Sequence, residues 1–279
     1  MFGKNNRMMH RKSLLVLVLA LVATVLSAQE LRRVENICYT SSHDAYAQER
    51  CRLDVIWPEG AKDMPVVVWF HGGGLTGGDR RWTPAGLEDG SFIVVRANYR
   101  LIPNVEVKDC IDDAAAAVAW TFNHIADYGG SVDKIFVSGH SAGGYLTDMV
   151  GLDKHYLAAY GIDADRIAGL IPFSGQVISH FAYRKTLGMS ELQPSIDPYA
   201  PLYHIRPDAP PIVIISGDRE TELYGRYEET AYFWRMLKLV GHPDVRIYEL
   251  QGFNHNTMAE PAVPLLKEHV KRILAERAE

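Results

Sequence analysis

Lys134-Ile135-Phe136-Val137-Ser138-Gly139-His140-Ser141-Ala142-Gly143-Gly144 sets a serine between glycines at the exit of a short apolar run. The G-x-S-x-G spacing over 139–143 predicts a strand that turns sharply into a helix, with Ser141 at the corner. Such a corner strains the serine backbone, and a Cβ at 139 or 143 would collide with the neighbouring strand or helix. Ser141 is therefore the candidate nucleophile. A second glycine-rich strand exit, His71-Gly72-Gly73-Gly74, directly follows the apolar run Pro65-Val66-Val67-Val68-Trp69-Phe70. Acyl transfer needs backbone N–H groups that converge on a developing oxyanion with no side chain in the way, and this pairing of motifs supplies them.

Around these motifs, short apolar runs at 66–70, 92–97, 135–138, 167–173, 212–216 and 245–250 alternate with helical patterns at 107–128, 141–152, 226–240 and 264–278. Near-continuous apolar runs mark parallel strands buried on both faces, so the pattern predicts an α/β fold with a mostly parallel, doubly wound sheet. Its catalytic loops should gather at the C-terminal ends of the strands. Residues 35–40 and 50–57 read as an antiparallel opening hairpin joined by the polar stretch 41–48. One long insertion, 175–211, carries Gln176, His180, Phe181, Tyr183, Tyr199 and Tyr203 and reads as a small lid. Gln176, with Leu75, Tyr145 and Phe253 beside the other motifs, makes up the candidate pocket wall. Of the eleven histidines, His255 lies just after the last expected strand, in Gln251-Gly252-Phe253-Asn254-His255, where a general base belongs.

With Leu53-Asp54-Val55-Ile56-Trp57-Pro58, Asn98-Tyr99-Arg100-Leu101 and Gly217-Asp218-Arg219-Glu220 added to the motifs above, the chain resembles α/β-hydrolase carboxylesterases of the hormone-sensitive-lipase-like and kynurenine-formamidase-like groups. The resemblance covers most of residues 50–275 and implies the α/β-hydrolase fold. It also implies a Ser-acid-His order and an oxyanion hole formed by the N–H groups of Gly73, Gly74 and Ala142. In those esterases the acid commonly stands three residues after the glycine that ends its strand, which selects Glu220. Asp218 is the rival by residue type, and Glu222 stands further along. Two departures weigh against lipid substrates: His140 replaces the aspartate that often precedes the serine, and no N-terminal helical cap fits. Exported relatives of this kind remove acetyl or feruloyl groups from plant polysaccharides. The alternatives are an amide hydrolase of the arylformamidase or peptidase type, or a non-catalytic binding protein on the same fold.

The 279 residues, 47% of them hydrophobic, suffice for one large domain, expected over 29–279. A net charge of −5 without a basic run argues against nucleic acid as a partner. Residues 1–28 join a basic stretch, an apolar run and Ser27-Ala28, which reads as a signal peptide for periplasmic or extracellular export, with no stable membrane association after cleavage. No zinc-ligand spacing, dinucleotide fingerprint or P-loop occurs, so neither metal nor cofactor is expected. The expected partner is a small or polysaccharide-linked ester; the sequence leaves the oligomeric state open. Folding the opening hairpin about its midpoint sets Cys38 opposite Cys51, predicting a disulfide, with two buried thiols as the other reading. Cys110 has no evident partner.

Overall fold

A computed structural model describes residues 30–278; the expected signal peptide lies outside the described residues. β1 (Leu31–Cys38), β2 (Arg52–Pro58), β3 (Met64–Phe70), β4 (Ile93–Ala97), β5 (Gly130–His140), β6 (Gly169–Phe173), β7 (Ile212–Gly217) and β8 (Val245–Leu250) form one sheet in the order β1-β2-β4-β3-β5-β6-β7-β8. β1 and β4 each pair antiparallel with β2, and the remaining pairs are parallel. This is the α/β-hydrolase architecture with its antiparallel edge hairpin.

The period of two explains the layers. Val66, Val68 and Phe70 face a core shared with helices α2 (Val107–His124) and α3 (Ala142–Leu152), whereas Val67 and Trp69 face the opposite core. That second core is closed by helix α7 (Ala259–Arg277), whose Ala259, Ala262, Val263, Leu266, Val270 and Ile273 repeat at helical spacing. α7 begins five residues before the start at 264 that the sequence suggested. Pro264 sits inside it on the exposed face, where its missing N–H leaves a helix carbonyl to solvent.

The stretch 41–48 is not a plain loop. Helix α1 (Ala45–Arg50) forms there, capped by Asp44 Oδ1, which accepts from Ala47 N at 2.8 Å. The helix changes the hairpin register, so Cys38 lies opposite Arg52, and Tyr39 N donates to the Cys51 carbonyl at 3.2 Å. One residue of register turns a side chain to the other face. All three cysteines are free, which corrects the expected 38–51 bridge. Cys38 lies beside Gln48, while Cys51 is fully buried near Tyr39 and Asp113. Burial pushes the thiols of Cys51 and Cys110 up to about 12.

Among the described residues no helix is long and apolar enough to cross a membrane. Native alkylation with iodoacetamide at pH 8 is expected to modify Cys38 alone, and alkylation in denaturant all three cysteines. A Cys38–Cys51 bridge would instead leave one reactive thiol in denaturant, read directly by mass spectrometry.

Candidate active site

Three strand ends and their loops bring the candidate residues together. Ser141 stands between β5 and α3 with φ 58° and ψ −114°, a left-handed backbone seldom adopted by a residue with a side chain. The neighbouring glycines are sterically required. A Cβ on Gly143 would lie 2.0 Å from the Phe70 carbonyl oxygen, and one on Gly139 would lie 2.6 Å from that same atom. Ser141 N donates to the Phe173 carbonyl at 2.8 Å, tying the corner to β6.

His255 follows β8 in a buried position, and its Nε2 lies 2.8 Å from Ser141 Oγ. Its Nδ1 lies 2.5 Å from Glu222 Oε1. An ionised carboxylate only accepts, so Nδ1 carries the proton and Nε2 presents a lone pair to the serine hydroxyl. The acid beside the histidine is thus Glu222, in place of Glu220 or Asp218. The physical reason lies in the turn. Thr221 N and Glu222 N both donate to the Asp218 carbonyl, so the chain after β7 coils through one helical turn and brings Glu222 back over Gly217. A Cβ on Gly217 would meet Glu222 Oε2 at 2.8 Å. Glu220 points outward and is exposed. Asp218 accepts from Glu220 N at 2.9 Å and from Gly252 N at 2.6 Å, stapling the acid loop to the histidine loop.

Every lone pair of Glu222 has a use. Oε1 accepts from His255 and from Leu223 N at 2.9 Å, and Oε2 from Gly217 N at 3.1 Å and Ser174 Oγ at 2.8 Å. Burial opposes its charge, but the His255 interaction and these donors hold the carboxyl down at about 2, against an ordinary glutamate value of 4.5. Ser174, which the sequence reading did not single out, has φ 47° and also lies 3.0 Å from His255 Nδ1. Its carbonyl accepts from buried Arg226, which pairs with Glu229 at 2.7 Å. His140 donates from Nε2 to the His255 carbonyl at 2.7 Å, since a carbonyl can only accept. Burial pushes His140 down to about 4, so it is neutral near pH 7.

Helix α3 starts at Ala142, whose N–H therefore has no acceptor in its own helix. Gly73 and Gly74 have φ 110° and 65° in the loop after β3, and a Cβ on Gly73 would meet the Gly77 carbonyl at 2.4 Å. The cavity in front of Ser141 measures about 510 Å³ and is walled by Gly73, Gly74, Asp79, Trp82, His140, Phe181, Leu223 and Asn256. Phe181 comes from the insertion. The four pocket candidates lie elsewhere. Leu75 is core, and Tyr145 is buried with its hydroxyl donating to the Tyr199 carbonyl at 2.8 Å. Gln176 is buried and accepts from Phe181 N at 2.8 Å, while Phe253 is an exposed loop residue outside the cavity wall. Trp82 and Asp79 were missed because they follow the glycine motif in a loop without periodicity.

The BD-FAE family model matches residues 53–227, more than half of the chain. The chain belongs to the BD-FAE family. The matched stretch holds Ser141 and Glu222 and ends before His255. Among curated relatives, the BD-FAE chain is 28% identical over 184 residues to a probable carboxylic ester hydrolase, LipM, of Mycobacterium tuberculosis, covering 56% of this chain and 41% of that protein. It is 36% identical over 108 residues to carboxylesterase NlhH of the same organism, covering 34% of this chain and 32% of that protein. The chain thus spans less than half the length of these relatives. A truncated carbohydrate esterase from gut microbiota superposes with a TM-score of 0.69 at 14% identity, covering 89% of this chain and 98% of that one. Est2 of the planctomycete Thermogutta terrifontis superposes at 0.66 and 22% identity, covering 88% and 93%. These solved structures establish the fold.

Exchanging Glu222 for Gln is expected to lower kcat on an ester by about 10²- to 10⁴-fold, as for loss of a triad acid, whereas Glu220→Gln should cost less than about tenfold. Ser174→Ala, which removes one of four donors to the carboxylate, should fall between. The Glu222 carboxylate is also expected to stabilise the fold: a depressed folded pKa contributes above the unfolded value of 4.5 and is lost as pH falls towards about 2. The Tm advantage of the native protein over Glu222→Gln should therefore shrink between pH 5 and pH 2.5 in a calorimetric series.

Proposed function

We propose that this BD-FAE protein is an exported serine carboxylesterase that cleaves short-chain or aromatic acyl esters through an acyl-enzyme, with acetyl or feruloyl groups of plant polysaccharides as its substrates. The observation that carries the proposal is the continuous relay from Ser141 Oγ through His255 to Glu222, opening onto a cavity beside the glycine loop. In this reading Ser141 attacks the ester carbonyl while His255 Nε2 takes its proton. The carbonyl oxygen, now negative, is received by the N–H groups of Gly73, Gly74 and Ala142, which cost no reorganisation because glycine geometry and a helix start already hold them in place. His255 then returns the proton to the leaving alkoxide, forming the alcohol and the acyl-serine. Water, deprotonated by the same Nε2, completes the hydrolysis. Glu222 keeps the imidazole in one tautomer and offsets the positive charge that His255 carries between the two proton transfers.

Support for polysaccharide esters comes from two neighbours: the gut carbohydrate esterase and a bifunctional GH43-CE protein of Bacteroides eggerthii, which superposes with a TM-score of 0.70 at 18% identity. Export rests on residues 1–28. The short acyl range rests on Phe181 and Leu223, which help wall a cavity of modest volume.

The test is a series of 4-nitrophenyl esters of rising acyl length, run beside methyl ferulate and acetylated xylan. Acetyl to butyryl chains should be cleaved fastest, and Ser141→Ala should lose about 10⁴-fold or more in kcat with Tm unchanged within a few degrees. Fastest turnover at ten carbons or more would overturn the short-chain assignment, and near-normal turnover by Ser141→Ala would overturn the serine mechanism.

A further inference from the structure

Trp82 is an anomaly for a tryptophan: it is 44% exposed and forms part of the cavity wall. Large aromatic faces left in water inside a binding cleft mark contact with something flat. Its position relative to the relay fixes which part of an ester it meets. The Trp82 ring lies 5.4 Å from that of His140, which in turn lies 4.8 Å from that of His255, so the three rings line one side of the cavity. Asn256 extends the same side, immediately after the histidine, and Asp79 adds a carboxylate. Phe181 also walls the cavity and lies over Gly74 of the glycine loop, where an added Cβ would meet its Cζ at 2.9 Å.

A general acid must reach the leaving oxygen, so the alcohol half of the ester departs on the histidine side and the acyl half lies away from it. Accordingly, we infer that Trp82, Asp79 and Asn256 form the subsite for the leaving alcohol, that its occupant is a neutral sugar ring, and that Phe181 bounds the acyl group. This rests on the esterase reading above. A pyranose has a face of C–H groups that lies flat on an indole, and a rim of hydroxyls that needs acceptors and donors. The indole supplies the first. Asp79 Oδ2 carries a single hydrogen bond, from Asn98 at 3.3 Å, so it keeps capacity to accept from a hydroxyl, and the Asn256 amide can both donate and accept. The platform is fixed in place: Trp82 N donates to the Asp79 carbonyl at 3.0 Å, and its ring leans on that of buried Trp69 at 6.3 Å. Trp82 is thus assigned as a specificity residue, with no share in the proton transfers.

The experiment compares three acetates with different alcohols, acetylated xylotetraose, phenyl acetate and ethyl acetate, in the native protein, Trp82→Ala and Trp82→Phe. Trp82→Ala should raise KM for the sugar ester about three- to tenfold more than for ethyl acetate, the loss expected of one stacked ring. Trp82→Phe should recover part of that difference. Calorimetry gives a reading independent of turnover: xylotetraose should bind Ser141→Ala measurably and the Ser141→Ala/Trp82→Ala double variant at least threefold more weakly. Equal changes on both esters, with Tm preserved, would overturn the subsite. So would a loss on phenyl acetate without one on the sugar ester, which would assign the platform to aromatic alcohols. If the native protein cleaves ethyl acetate but neither cleaves nor binds the sugar, the subsite falls and the esterase reading stands; cleavage of no ester overturns both.

Discussion

One backbone oxygen organises this molecule: the carbonyl of Phe70, at the end of the central strand β3. The turn from β5 into helix α3 passes so close to it that neither Gly139 nor Gly143 can carry a Cβ. With the turn pressed there, Ser141 has no relaxed backbone available and its side chain stands out at the sheet's C-terminal edge. The same strand continues directly into His71 and the glycine loop, so the proposed oxyanion donors and the serine are referenced to a single peptide unit. Parallel pairing carries that alignment outward, through β6 to Ser174, β7 to Gly217 and β8 to the histidine loop. The alignment of the loops across these strands follows from hydrogen-bonded sheet geometry.

The acid and the base behave as one assembly. Asp218 joins their loops, His140 holds the carbonyl of His255, and Ser174 touches both members of the pair. Arg226 holds the Ser174 carbonyl from the helix that follows the acid. Four residues outside the Ser-His-Glu line thus remove the freedom of the imidazole to tilt. Their cost is a left-handed serine and a buried guanidinium, both sustained by the packing around them.

The sequence was most informative where chemistry leaves few choices. Alternating valines in β3, the glycine pairs around Ser141 and the address of His255 after β8 each follow from sterics or from strand period, and the sheet they imply is the one observed. It was least informative where a short irregular turn decides direction. Counting three residues from Gly217, as the resemblance to those esterases implies, leads to Glu220, whereas here a single helical turn at Asp218 puts the carboxylate that meets His255 two residues further. The same lapse occurs at residues 45–50, where one and a half turns of helix shift the cysteine register. Leu75 and Tyr145 stand beside the right motifs in sequence yet point into the core, because at positive φ, or one helical turn past the serine, adjacency in sequence is not adjacency in the cavity. Trp82 and Ser174 carry no pattern of their own and become legible only through what they touch.

The insertion leaves the sheet immediately after Ser174 and rejoins it at β7, ten residues before Glu222. Its first attachment point, Ser174, is held by hydrogen bonds to Glu222 and His255, and its second by sheet hydrogen bonds of Pro211 and Ile212 to Leu170 and Asp244, while its contribution to the cavity wall is Phe181. A chain built this way separates two evolutionary variables. The mostly exposed stretch 185–198 can change length and composition without disturbing the Glu222–His255 pair or the mostly buried residues 176–184 that pack beneath it. Diversification within such a family should therefore proceed as an exchange of that surface stretch on a constant chassis, and grafting at its two exposed ends would be a practical way to imitate it.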